Sequence, residues 1–158
     1  MAIPRRILVA WLPFLFMLVL IAFGSGSFLH SGRTGSWLGT VIEALYRPIT
    51  PRALEIANMI FRKAVHVATY ALLCALALRG WRETLRESRP WTMRVAALSI
   101  VTAALVASMD EFHQSFYPER GASLGDVVLD TIAAILAQFL LAAAFAWTVT
   151  SASRAEQK

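Results

Sequence analysis

No charged residue interrupts the chain between Ile7 and Phe23, and that run determines the solvent in which the protein can fold. A helix crosses about 30 Å of hydrocarbon with roughly 17–25 largely apolar residues, each adding about 1.5 Å. The run is long enough, and three further stretches meet the same test: about Ile56 to Leu78, Trp91 to about Phe116, and Asp126 to Val149. Only Pro13 breaks the helical pattern of the first. The second becomes continuously apolar from Ala64, with polar residues in its first half, and the fourth is rich in Ala, Leu and Ile. The expected fold is all-α, a multispan transmembrane helical bundle with four spans in one domain, followed by a short disordered tail from about residue 151. Composition excludes the other classes. The chain is 58% hydrophobic and 16% charged, whereas a soluble domain is about a quarter charged. Its hydrophobicity excludes disorder, and the lone Cys74 excludes a disulfide framework. A formal charge of +5 would by itself fit a nucleic-acid partner, but the apolar runs override that reading and no nucleic acid is expected.

Lys and Arg in the connections orient such a bundle, because basic loops stay on the cytoplasmic side. Arg5 and Arg6, the middle loop with Arg79, Arg82, Arg86, Arg89 and Arg94, and the tail with Arg154 and Lys158 fall on one side. Arg33, Arg47, Arg52, Arg62, Lys63 and Arg120 fall on the other. Both termini are therefore expected in the cytoplasm. Trp11, Trp37, Trp81, Trp91 and Trp147 mostly lie near span ends, where an indole prefers the headgroup layer. An alternative for the first span is a cleaved secretory signal, since Arg5 and Arg6 precede an apolar core ending in Ala22-Phe23-Gly24. That core is longer than the usual stretch of about 7–15 residues, which favours a retained helix. The first external segment, Gly24 to Glu55, opens with Gly-Ser-Gly-Ser and later holds Tyr46-Arg47-Pro48-Ile49-Thr50-Pro51, both of which break helices. Between them Ser36 to Tyr46 is expected to form a short interfacial helix with Trp37, Leu38, Val41, Ile42 and Leu45 on its apolar side; a plain loop is the alternative.

An ionisable side chain at the bilayer centre costs about 2.5–3.5 kcal/mol on insertion scales, so such residues pair up or line a wet cavity. Arg62, His66 and Tyr70 recur every four residues and share one helical face, with Lys63 beside them. On the third span Asp110, His113 and Gln114 fall on one face with Glu111 about a quarter-turn away, and Asp126 and Asp130 stand one turn apart on the fourth. The start of the second span, the end of the third and the start of the fourth share the outer side. Arg62, Lys63 and Arg120 then meet Asp110, Glu111, Asp126 and Asp130, a nearly neutral set in which His66 and His113 can titrate.

Each element also has a structural account. Ser123-Leu124-Gly125-Asp126 fits a variant of the capping box, and capping is the leading role for Asp126. Asp130 needs Arg62, Lys63, Arg120 or a bound proton to offset the like charge one turn away. Arg62 and Lys63 can snorkel to headgroups, and Tyr70 fits a packed aromatic with a satisfied hydroxyl. His30 reads as a solvated loop residue, and Cys74, among leucines, as a small packing residue. Snorkelling does not explain four carboxylates, a Gln and two His at one depth, so the cluster as a whole reads as a functional polar site.

Two segments together resemble a known family. Arg62-Lys63-Ala64-Val65-His66-Val67-Ala68-Thr69-Tyr70-Ala71-Leu72-Leu73 resembles the Lys-x-x-His-x-x-x-Tyr-x-x-Leu pattern of the VanZ-like family. Asp110-Glu111-Phe112-His113-Gln114-Ser115-Phe116-Tyr117-Pro118-Glu119-Arg120, followed by Ser123 and Asp126, is similar to its second pattern, Asp-Glu-x-x-Gln-x-Phe-x-Pro-x-Arg-x-x-Ser-x-x-Asp. The resemblance covers about Met1 to Ala146. It implies a small multi-pass protein of the bacterial cytoplasmic membrane, in a family named for a member linked to low-level resistance to teicoplanin, a lipid-tailed glycopeptide antibiotic. The motif positions it carries over are Lys63, His66, Tyr70, Asp110, Glu111, Gln114, Arg120, Ser123 and Asp126. After Asp126 the family pattern usually continues with Asn and then Gly, where this chain has Asp130 and Ala133.

Two classes of function fit these residues. In the first, a binding protein of the cell envelope uses its cations and the start of the fourth helix to receive an anionic headgroup, from an envelope lipid or a lipoglycopeptide. The candidate ligand-binding set is Arg62, Lys63, His66, Tyr70, Asp110, Glu111, Gln114, Arg120, Ser123, Asp126 and Asp130. In the second, a membrane-embedded enzyme acts on an envelope lipid or its precursor, with Asp110 or Glu111 as acid or base, His66 or His113 as its partner and Arg120 stabilising phosphate charge. A proton-coupled transporter draws on the same carboxylates, but four spans without internal repeats are thin for alternating access. The spacing of His66, His113, Asp110 and Glu111 matches no familiar metal motif, so neither a metal nor another cofactor is expected. Membrane lipids are the expected partners.

Overall fold

The computed structural model describes residues 4–25, 31–45, 50–117 and 122–155. They form five helices, α1 Arg5–Ser25, α2 Ser31–Leu45, α3 Pro51–Leu85, α4 Met93–Gln114 and α5 Leu124–Ala155, and no strand occurs among them. α1, α3, α4 and α5 are long and apolar enough to cross a membrane. α3, α4 and α5 pack on one another, and α1 packs on α3 and α4. Ser25 at the end of α1 meets Asp110 near the end of α4, and Lys63 in the first half of α3 meets Asp126 at the start of α5. These four helix segments therefore share one end of the bundle.

Local chemistry moves the helix limits away from the hydropathy limits. α3 begins at Pro51, not near Ile56, because Thr50 accepts a hydrogen bond from the Ala53 N–H (3.4 Å) and Pro51 suits a first turn. Its 35 residues exceed the length needed to span, so the polar turns from Arg52 to Asn58 extend the helix past the apolar stretch. It ends where Arg86 turns left-handed (φ 54°) and the Glu87 N–H bonds the Arg82 carbonyl at 2.9 Å. Thr92 caps α4 through the Val95 N–H, which leaves Trp91 outside that helix, and α4 closes at Gln114 rather than Phe116. The short external helix exists as α2, starting earlier than Ser36. It lies close to the first turns of α3: a Cβ on Gly35 would stand 3.3 Å from Asn58 Nδ2, and one on Gly39 3.2 Å from a Leu54 methyl.

The interior is rich in small residues, while many of the large apolar ones lie outside. Cys74, Ala103 and Ala134 form one buried cluster, and Ala77 and Ala107 join Phe14, Tyr70 and Leu73 in another. Leu12, Phe16, Leu105, Met109, Phe139 and Leu140 are exposed. A lipid-facing surface works this way, because hydrocarbon offers no gain for hiding a leucine, whereas small residues let backbones approach and pack. Cys74 packs as its surroundings imply and also accepts from Gln138 Nε2 at 3.2 Å, while Gln138 Oε1 accepts from the Trp91 indole at 3.1 Å. Trp11 and Trp81 likewise donate to neighbouring side chains, Thr84 and Thr102, both at 3.0 Å. These indoles thus join parts of the bundle, beyond the headgroup role expected of them.

α1 is seated at the end opposite the polar cluster by Trp11. Its ring packs edge-on against Phe14 and Trp81, and it occupies the space where a Cβ on Gly80 would stand, 2.5 Å from the indole. Gly80→Ala is expected to push α1 off α3 and to lower stability by about 1–3 kcal/mol. Thermal unfolding of the detergent-solubilised protein measures this, and an unchanged midpoint would show that α1 is not held through this contact.

Candidate functional site

Asp110 collects hydrogen bonds from three helices. Its Oδ2 accepts from Tyr70 Oη of α3 (3.2 Å) and from Gln114 Nε2 one turn along α4 (3.0 Å), and its Oδ1 accepts from the Ser25 hydroxyl of α1. All four side chains are buried. The donors are neutral, so this carboxylate is solvated by the protein rather than matched by a cation. One turn before Tyr70, His66 Nδ1 lies 3.1 Å from Asp130 Oδ2 of α5, and the imidazole lies nearly parallel to the Tyr70 ring with centroids 6.2 Å apart. Three residues earlier, Lys63 Nζ lies 2.7 Å from Asp126 Oδ1. The α3 stripe thus meets α5 through Lys63 and His66 and α4 through Tyr70.

The start of α5 is capped by two helices together. Ser123 Oγ accepts from the Gly125 N–H (3.1 Å), while the Ser123 N–H donates to Glu111 Oε2 of α4 at 2.7 Å. In a capping box the acid at the third helical position takes that N–H. Here Glu111 does so, and the Asp126 carboxylate is turned to Lys63, which corrects the expectation that Asp126 is chiefly a cap. Asp130 is offset by His66 and not by Arg62 or Lys63. Arg120 and His30 lie outside the described residues. His113 leaves the cluster: it is exposed and faces Tyr117, whose Oη lies 3.5 Å from Nε2. At about 100° per residue the buried arc of α4 runs through Asp110, Gln114 and Glu111, and His113 falls beyond its edge. The expected near-neutrality does not extend to individual contacts, since Asp110 and Glu111 receive only neutral donors among the described residues. Glu111 Oε1 and Asp130 Oδ1 are buried without a hydrogen bond among the described residues.

Beside the cluster lies a cavity of about 670 Å³ between α1, α2, α3 and the end of α4. Met17, Leu20, Ile21, Trp37, Phe61 and Val65 give it apolar walls. Ser25, His66, Tyr70, Asp110 and Gln114 give it a polar floor, and Arg62 lines it as well. Arg62 makes no ion pair among the described residues. Glu111, Lys63, Asp126 and Asp130 do not line the cavity. Ser25 and the cavity walls were not legible as site residues. Ser25 reads as the first part of a loop, and apolar walls look like any other lipid-facing residues. Among the described residues no three His, Cys, Asp or Glu side chains gather to hold a metal ion.

A helical bundle with four helices able to cross a membrane, and with the buried carboxylates Asp110, Glu111 and Asp130 gathered at one end, has the build of a multi-pass membrane protein. Over residues 7–146 the chain matches the VanZ/LLP1 family, and it belongs to that family. The match runs from α1 into α5 and includes every site residue described above. No curated protein and no solved structure matches the chain.

The hydrogen-bond pattern ranks the cluster by structural weight. Asp110→Ala leaves the Tyr70 and Gln114 donors buried without their acceptor, while the Ser25 hydroxyl keeps the Ile21 carbonyl at 2.8 Å, and is expected to destabilise the fold by about 3 kcal/mol. Lys63→Gln removes a pair whose lysine is half exposed and is expected to cost less than about 1 kcal/mol. Unfolding midpoints of the two variants check the order, and a larger loss for Lys63→Gln would reverse it.

Proposed function

We propose that this VanZ/LLP1 protein binds an amphiphile in the cavity, with the chain of the ligand against the apolar walls and its anionic head at Arg62. The observation that carries the reading is a guanidinium that makes no ion pair among the described residues, on a cavity that joins apolar walls to a polar floor. Its volume falls in the range of about 300–1,000 Å³ common for small-molecule sites. Of the cations first assigned to the anion, Lys63 is engaged by Asp126, so Arg62 has the task among the described residues. The basic residues of the opposite end, from Arg79 to Arg94, support placing the cavity at the extracytoplasmic face of the cell membrane. There the ligand is an outer-leaflet envelope lipid or the lipid tail region of a teicoplanin-type glycopeptide, and capture of either alters susceptibility to such drugs. A catalytic reading has less support, since Asp110 has both oxygens hydrogen-bonded and Glu111 and His113 do not line the cavity.

The test is lipid capture by the purified full chain in nanodiscs, read by native mass spectrometry. Anionic dioleoyl phosphatidic acid and phosphatidylglycerol are expected to bind in preference to phosphatidylcholine. Arg62→Gln is expected to weaken that binding about tenfold or more, as loss of a charge-assisted contact does. Lys63→Gln leaves it within about twofold, as befits a half-exposed ion pair. Equal capture of anionic and zwitterionic lipid by the native protein sinks the proposal.

A further inference from the structure

We infer that His66 is the second donor of this cavity: Asp130 fixes a hydrogen on its Nε2, and with Arg62 it selects a phosphate monoester head. The inference rests on the amphiphile reading above and names the chemistry of the head.

Asp130 is 1% exposed, its Oδ1 has no hydrogen bond among the described residues, and its Oδ2 has His66 Nδ1 at 3.1 Å. No Lys or Arg among the described residues lies within ion-pair distance of it. The pair has four arrangements of its protons. An ionised Asp130 beside a neutral ring protonated on Nδ1 leaves a bare negative charge in the interior, which is costly. An Asp130 protonated on Oδ1 whose Oδ2 accepts from Nδ1–H is neutral, but it buries a hydroxyl with no acceptor, since Oδ1 has no hydrogen-bond partner among the described residues. The remaining two are an imidazolium against a carboxylate, and a neutral ring whose Nδ1 accepts from a carboxylic acid. Nε2 carries a hydrogen in both. The buried aspartate therefore makes Nε2 a donor and withholds it from work as a base. His66 lines the cavity and Asp130 does not, so Nδ1 is directed away from the cavity and Nε2 is the nitrogen left for it.

Arg62 stands one turn away on the same face and lines the same cavity. A guanidinium fork takes two oxygens of an oxyanion. A third terminal oxygen gives the His66 N–H an acceptor of its own, whereas a head with two must share one between donors. A carboxylate and a phosphodiester each have only two terminal oxygens, whereas a phosphate monoester has three. Together with the apolar walls, the two donors fit a phosphomonoester of a lipid alcohol.

The experiment combines ¹⁵N NMR of histidine-labelled full chain in nanodiscs with the lipid capture assay. The His66 signals are those lost in the double variant His66→Phe with Asp130→Leu, which removes both partners and so leaves no buried charge. Nε2 is expected as an N–H without added lipid, and its shift is expected to move with dioleoyl phosphatidic acid but not with phosphatidylcholine. The double variant, with Arg62 intact, is expected to bind phosphatidic acid about ten- to a hundredfold more weakly and to lose the preference for it over phosphatidylglycerol. A bare Nε2 in the native spectrum, or a double variant that keeps the monoester preference, overturns the inference while leaving the Arg62 site standing. Native protein without any preference for anionic lipid overturns both.

Discussion

A carboxylate at membrane depth has no bulk water to solvate it, so the protein has to supply its donors, and the structure is organised around that requirement. Asp110 meets it with Ser25, Tyr70 and Gln114, which brings α1, α3 and α4 to one register. The other three acids of the cluster join two further pairs of segments: Glu111 ties α4 to the start of α5 through a backbone N–H, and Asp126 and Asp130 tie α5 to α3 through Lys63 and His66. Each acid thus ties its helix to another. The small residues farther along α4, Ala103 and Ala107, let the helices come close enough for these bonds to form.

The cavity is a consequence of where α1 and α2 are anchored. α1 is held at one end by Trp11 on Gly80 and at the other by the Ser25 hydroxyl on Asp110, and α2 leans on the first turns of α3 through Gly35 and Gly39. The space between these contacts is left to apolar side chains that do not meet. Its floor shows an imbalance that bears on binding. The acceptor Asp110 is already occupied by donors, while the donors Arg62 and His66 Nε2 have no partner among the described residues. A site with filled acceptors and free donors favours an anion over a cation.

The spans, the α3 stripe and the meeting of three polar helix ends were legible because each follows from periodicity and length. Boundaries were less so. Thr50-Pro51 is a helix start signal, yet beside Pro48 it reads as a breaker, and hydropathy reports fit to lipid rather than where a helix begins. The face of α4 was half legible, since Asp110, His113 and Gln114 are neighbours on the wheel and only the positions of α3 and α5 decide that the buried arc turns toward Glu111. Partners were least legible of all. A tally of charges does not show that Lys63 takes Asp126, that His66 takes Asp130, or that Glu111 caps a helix to which it does not belong, because these depend on relative depth between helices.

The two departures from the family pattern fall on the buried face of α5, with unequal consequences. Ala133, where the pattern that the chain resembles usually has glycine, is buried beside Ala134 in the packed interior, where its methyl is accommodated. Asp130 stands where the pattern has Asn, opposite His66. An amide there can accept from Nδ1–H through its oxygen or donate to a bare Nδ1 through its nitrogen, and neither state buries a charge, so Nε2 is free to be donor or acceptor. A carboxyl group narrows that freedom, because a bare Nε2 either strands its negative charge or buries an Oδ1 hydroxyl without an acceptor. On the proposed reading, Asp130 therefore holds the cavity-facing nitrogen to the role of donor, where an Asn at the same position would leave both roles open.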